Sequence, residues 1–210
     1  METRTVHLFV FDSLSDWEPG FAVAGLNTPA FQAAPGRYRV KTVGVSRRPV
    51  TTAGGLTILP DLSLAELEPA QSAMWVLPGG GGWDDGRHAA AVEKAKAFLA
   101  AGVPVAAICG ATAGLALGGL LDDRPHTSNA REYLLATHYG GGAFYENQPA
   151  VTSGDLITAS AMAPLDFAYH IFRKLGVYTP PMLEAWYGLY KTGDAAYFFA
   201  MQKLLNEPSA

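Results

Sequence analysis

The chain has one cysteine, Cys109, and its neighbours suit a nucleophile. Ala107-Ile108-Cys109-Gly110-Ala111 joins a short apolar run, Val103 to Ile108, to an Ala/Leu-rich stretch ending at Leu121. A side chain on a sharp strand-to-helix turn stands clear of the backbone when the residues two before and two after are small. Here both are alanine. A helix starting beneath such a cysteine lowers the thiol pKa and offers free N–H groups to a developing oxyanion. A lone buried cysteine is often only a small hydrophobe. The elbow pattern favours a reactive Cys109.

Two further features sit where partners for Cys109 would be needed. Glu18, in Asp16-Trp17-Glu18-Pro19, is acidic in a helix first turn, a placement the helix dipole alone explains. If the first strand lies beside the Cys109 strand, Glu18 points at the thiol. It must then be protonated or donate a hydrogen bond, because an ionised carboxylate opposes a thiolate. Asp16 and Trp17 would line the same pocket. Gly79-Gly80-Gly81-Gly82 lacks a following Gly-Lys-Ser/Thr and is no phosphate loop, nor does it fit the dinucleotide fingerprint. These glycines serve a tight turn, or their N–H groups complete an oxyanion hole facing Cys109. Trp83 is a pocket wall or a core residue.

Five histidines are candidates for the base. His7 lies in a strand and His170 in an apolar helix, while His88 and His138 read as exposed. His126, in Arg124-Pro125-His126-Thr127-Ser128-Asn129, falls where the chain returns toward the sheet and is the best base by topology. A turn histidine bonded to backbone is the competing reading. No His-x-His or His-Glu-x-x-His occurs and only one cysteine is present, so neither a metal nor a cofactor is expected.

The elements that would position these residues alternate. Val6–Phe11, Tyr38–Val45, Ala73–Leu77 and Val103–Ile108 read as strands. Helices are expected from Asp16 to about Asn27, Asp84 to Ala101, after Cys109 to Leu121, Arg131 to Thr137, and Pro164 to Leu175. Val50–Leu59 reads as a hairpin and Pro149–Ala161 as a strand pair. Pro180 to Leu205 reads as two aromatic-rich helices. Strands separated by helices imply a mostly parallel sheet covered on both faces, with its site beyond the strands' carboxyl ends.

Composition narrows the partners. With 49% hydrophobic and 16% charged residues over 210 positions, the chain is a folded protein with one substantial core. A single cysteine excludes an internal disulfide. Fifteen basic against nineteen acidic residues give a net charge of −4 and argue against nucleic acid or an anionic membrane as partner. The first apolar run spans about six residues, too short for a signal peptide, and no run reaches the roughly 20 residues of a membrane helix. A cytoplasmic protein acting on a small molecule is expected.

The chain resembles the DJ-1/PfpI superfamily, the class I glutamine amidotransferase-like proteins. Val10-Phe11-Asp12 with Asp16-Trp17-Glu18, Leu77-Pro78-Gly79-Gly80, Ala106-Ala107-Ile108-Cys109-Gly110 and Leu156-Ile157-Thr158-Ala159 carry the likeness over about residues 5 to 176. Asp-Trp-Glu, Cys-Gly-Ala and His-Thr-Ser-Asn look most like the YdeA-like protease/amidase branch. The resemblance implies an α/β, flavodoxin-like three-layer sandwich over residues 1–178, with a mostly parallel central sheet. A C-terminal helical segment, 179–210, would pack on the domain or on a dimer partner. It also implies a homodimer, Cys109 as nucleophile, Glu18 as its protonated partner, and an oxyanion site at the N–H groups of Gly80 and Gly110.

Three departures bear on activity. Peptidase-type members carry histidine after the cysteine, where this chain has Gly110. DJ-1-like members end a Thr-Ser-His stretch in histidine, where this chain has Asn129, a pocket residue. Glutaminases use a late His-x-Glu pair, which is absent. Peptidase and glutaminase activities are therefore not expected, and His126 is left as the substitute base. The expected function is a cysteine-dependent enzyme acting on a carbonyl, amide or isonitrile, of hydrolase, hydratase or glyoxalase type. The alternative is a redox or stress sensor whose Cys109 oxidises to a sulfinate.

Overall fold

A run buried on both faces has no polar side to alternate with, and Ser72–Leu77, buried at every position, is such a run. It forms one of the central strands in the structure, a computed structural model describing residues 3–206. The last four positions of the expected C-terminal segment, 207–210, lie outside the described residues. In order, the chain forms β1 (Arg4–Phe9), α1 (Trp17–Asn27), β2 (Tyr38–Gly44), a hairpin of β3 (Val50–Thr51) and β4 (Thr57–Ile58), β5 (Leu62–Ser63), β6 (Ser72–Leu77) and α2 (Ala89–Ala100). It continues through β7 (Val105–Ile108), α3 (Gly110–Leu117), α4 (Arg131–Leu135), β8 (Ala150–Ser153), β9 (Leu156–Ala159), α5 (Pro164–Leu175), α6 (Pro180–Thr192) and α7 (Ala195–Asn206).

The seven-stranded sheet runs β5-β2-β1-β6-β7-β9-β8, parallel throughout except for β8, which pairs antiparallel with β9. Helices cover both faces, giving the expected three-layer α/β sandwich. Strand order reverses at β1: α1 carries the chain from β1 to β2 on one side, and β6 joins β1 on the other. Loops diverging from such a switch point open a crevice at the carboxyl ends of the strands. One expectation is corrected here. β1 is not beside the Cys109 strand, because β6 pairs with both β1 and β7 and separates them.

Local chemistry explains the element ends. Gly86, at φ +77°, breaks the helix expected from Asp84, so α2 begins at Ala89. Gly119, at φ +73°, stops α3 short of Leu121. α5 opens on Pro164, carries Arg173 and Lys174 in its last turn, and ends at Gly176 in the left-handed region, which together define both helix ends. The core gathers Phe9, Trp75, Phe98, Phe167 and Phe172 between the layers. Trp186 of α6 packs its ring on Phe172 and Tyr178, at centroid distances of 5.0 and 6.0 Å. α7 buries Met201 and leaves Phe198 and Phe199 exposed. Among the described residues, no helix is long and apolar enough to cross a membrane.

Candidate active site

Cys109 stands at the end of β7 with φ +59° and ψ −127°, a backbone conformation that disfavours any side chain. Its surroundings over-determine that geometry. The Cys109 N–H donates to the Ala159 carbonyl (3.0 Å), and its own carbonyl accepts from the Thr112 N–H (3.1 Å) and Thr112 Oγ1 (2.6 Å). Ser128 Oγ lies 2.6 Å from Thr112 Oγ1 and holds that hydroxyl in turn. Strain of this kind persists only where neighbours enforce it, and the sulfur is thereby set above the sheet edge.

Gly110, which follows, leaves little room for a side chain. A Cβ there would meet Trp83 Cδ1 at 3.0 Å and the Gly80 carbonyl at 3.1 Å. Trp83 is only 1% exposed, its Nε1 donates to the Pro78 carbonyl (3.0 Å), and its ring lies edge-on to Phe9 and Phe11. It is a core strut beneath the elbow, and on its far side it borders, with His88, Val92 and Gly114, a cavity of about 140 Å³.

Glu18 is fully buried at the start of α1. Its Oε2 accepts the Gly79 N–H at 2.5 Å. A Cβ on Gly79 would lie 2.6 Å from Oε2, 2.8 Å from the Cys109 sulfur and 2.6 Å from the Cys109 Cβ. The carboxyl thus reaches across the end of β6 and converges with the thiol over one glycine. Burial pushes the Glu18 pKa up, while the Cys109 thiol, the Gly79 N–H and the Ser15 hydroxyl hold it back. Oε1 is buried without a hydrogen-bond partner. A proton on the carboxyl removes the cost of burying a charge, and Oε2 is the oxygen that converges with the thiol over Gly79.

Asn129 completes the set. Its Oδ1 accepts the Ala161 N–H (2.8 Å), which orients the amide so that Nδ2 faces the Cys109 sulfur at 3.5 Å. The Gly110 N–H is directed at the same sulfur. Even so, the thiol pKa is pushed up to about 11, by burial first, with the Glu18 carboxylate adding to the rise and the Asn129 and Gly110 donors opposing it. The Gly110 N–H at the helix start lowers this pKa as expected, but burial outweighs it and the net shift is upward.

The glycine turn is held from three sides. Ser15 N–H donates to the Gly79 carbonyl (3.0 Å), Gly81 N–H to Ser13 Oγ (3.2 Å), and His88 Nε2 to the Gly81 carbonyl (2.9 Å). Gly80, at φ +142° with the Ser13 carbonyl 2.5 Å from where its Cβ would be, admits no side chain. His88, expected to be exposed, is half-buried against Phe9, Phe11 and Trp83. Ser13, at φ +71°, and His88 escaped the sequence reading, since nothing local marks either as a support for residues 79–82. Tyr133 was missed as well. It is partly buried, and burial with the nearby Asp84 and Cys109 charges pushes its phenol to about 12.

Three expected residues are placed elsewhere. Both ring nitrogens of His126 are engaged, Nδ1 with the Arg124 carbonyl (2.8 Å) and Nε2 with Tyr139 Oη (2.9 Å), and the residue is fully buried. The base role expected of His126 is withdrawn because neither nitrogen is available to Cys109. Asp16 accepts the Gly54 N–H at 2.6 Å and is held below the usual carboxylate range first by the Thr52 hydroxyl, so it ties the β3–β4 hairpin to α1. Trp17 is 59% exposed and borders, with Asp16 and Leu56, an open cavity of about 490 Å³. Among the described residues, no three His, Cys, Asp or Glu side chains gather as a metal site.

Comparison with known proteins places the chain in a family. Residues 4–174 match the model of the DJ-1/PfpI family. The chain is 43% identical over 209 residues to the Bacillus subtilis protein named Uncharacterized protease YoaZ, covering 98% of this chain and 100% of that one. It is 29% identical over 177 residues to Uncharacterized protease YdeA of the same organism, covering 83% and 85%. The crystal structure of a thiJ/pfpI family protein from Bacillus anthracis superposes with a TM-score of 0.90 at 42% identity, covering 97% of each chain. On its sequence and its fold together, this chain belongs to the DJ-1/PfpI family.

Proposed function

We propose that the protein is a cysteine-dependent enzyme acting on a small electrophilic substrate, a carbonyl, amide or isonitrile, with Cys109 as nucleophile and Glu18 as the proton carrier. The observation supporting this most strongly is the convergence of the Glu18 carboxyl, the Asn129 amide and the Gly110 N–H on one strained cysteine. A structural cysteine needs none of these.

In this reading the thiol proton moves from Sγ to the Glu18 carboxylate as sulfur attacks carbon. A C–S bond forms and the carbonyl π pair becomes an oxyanion, which the N–H groups of Gly80 and Gly110 receive. Glu18 then returns the proton to the oxygen or to the leaving atom. No histidine is required, which separates this site from the peptidase and glutaminase patterns. The protease names of the curated relatives are compatible with amide hydrolysis but do not choose the substrate.

The test is turnover of methylglyoxal, small amides and isonitriles by wild type and Cys109→Ala. Activity on one class that disappears in Cys109→Ala supports the proposal. Equal rates for the two proteins contradict it. The same three donors also suit a sulfinate on Cys109, so absence of turnover together with clean sulfinate formation under peroxide would select the sensor reading instead.

A further inference from the structure

At the opposite end of the sheet from Cys109, a cavity of about 570 Å³ opens on the face of β1, β2 and β6. Register builds its floor: Thr5 of β1 pairs with Arg39 of β2 and with Ser72 of β6, and His7 pairs with Lys41. Alternation along each strand puts Thr5, His7, Arg39 and Lys41 on one face. Arg4 and Gln71 close the rim.

The charge of this cavity is unusual for a chain of net charge −4. Three cations, Arg4, Arg39 and Lys41, line it and no carboxylate does. None of the three forms an ion pair among the described residues. Asp61, the acid whose field reaches Lys41 and His7, has its Oδ2 committed to the Thr42 N–H (2.7 Å) and hydroxyl (2.9 Å). Like charges gathered this way cost stability unless something answers them.

The remaining groups are donors. Thr5 Oγ1 accepts from Arg39 Nε (3.3 Å), leaving its own hydrogen to donate. Ser72 Oγ donates to the Glu68 carbonyl (3.2 Å) and so accepts from His7 Nδ1 (2.7 Å). His7 is thereby fixed as the Nδ1–H tautomer, with Nε2 able to take a proton when an anion arrives. Burial, then Lys41, holds His7 near 4 while the cavity is cationic, with Arg39 acting in the same sense and Asp61 opposing.

We propose that this cavity binds a small polyvalent oxyanion, a phosphate ester or a polycarboxylate, independently of the cysteine site. Its volume falls in the range of small-ligand sites and exceeds that of a bare phosphate. Fork-shaped guanidinium groups from two strands match such a ligand.

Calorimetric titration with inorganic pyrophosphate and, separately, with citrate at low ionic strength tests the proposal on the full chain. Wild type and Cys109→Ala are expected to show the same saturable single-site binding to at least one probe. Arg39→Gln/Lys41→Gln, the first exposed and the second half-buried at the cavity floor, should weaken it by at least about tenfold. Pyrophosphate binding supports a phosphate ligand and citrate binding a polycarboxylate. No saturable binding of either, or equal affinity in the double variant with an unchanged melting temperature, overturns the proposal.

Discussion

Gly79→Ala places a single methyl group between the two reacting side chains. Gly79 has no positive φ, so alanine incurs no backbone penalty there and the effect is steric alone. The added carbon would sit 2.6 Å from Glu18 Oε2 and 2.8 Å from the Cys109 sulfur, where ordinary contacts begin near 3.4 Å. Each partner must retreat by about 0.6 to 0.8 Å. Overpacking of this size costs about 1–3 kcal/mol, which lowers the melting temperature of a domain this long by roughly 2–12 °C. Displacement of reacting groups by about 1 Å costs on the order of 100-fold in rate. Paired assays are therefore expected to show a folded protein by circular dichroism, a modest fall in Tm, and at least about a 100-fold loss of Cys109-dependent turnover. A folded Gly79→Ala protein with wild-type turnover would refute the claim that carboxyl and thiol act together over this residue.

Other substitutions separate the roles. Glu18 has a raised pKa in the folded protein, so the fold binds a proton more tightly than the unfolded chain and loses stability as pH rises from about 4.5 toward the raised value. Glu18→Gln should therefore melt above wild type at pH 8, with the gap closing as pH falls, and a gap that does not change with pH contradicts the assignment. Asn129→Leu removes the donor facing sulfur. Alkylation of Cys109 at pH 8 should slow by about 10- to 100-fold, the worth of one charge-assisted hydrogen bond, and an unchanged rate in iodoacetamide kinetics would count against that bond. His126→Phe removes two buried hydrogen bonds and should cost about 1–3 kcal/mol in denaturant melts while leaving kcat unchanged. A collapse of kcat with stability intact would restore His126 as the base.

What could be read from the sequence was local. The small residues around Cys109, the acid opening α1 and the glycine run after β6 each carry their signal within a few positions. Helix ends at Pro164 and Gly176 were legible for the same reason. The relations between distant segments were not. Nothing near Glu18 shows that it must reach across β6, because strand order is a property of the whole sheet. Asn129 and His126 are three residues apart, and the choice between them rests on the Ala161 N–H, 32 residues downstream, and on Tyr139. Burial pushed the pKa of Cys109 up against its hydrogen-bond donors, and burial is set by packing. Net charge concealed the cationic cavity, since a sum over 210 residues erases a cluster of three.

Intact-mass spectrometry of the protein mixed with the substrate class it turns over tests the nucleophile directly. With one cysteine in the chain, the expected result is a single adduct of the substrate's acyl or carbonyl mass, mapped to Cys109, that forms and decays at rates consistent with turnover and is absent in Cys109→Ala. Turnover that continues with Cys109 unmodified throughout would contradict the account.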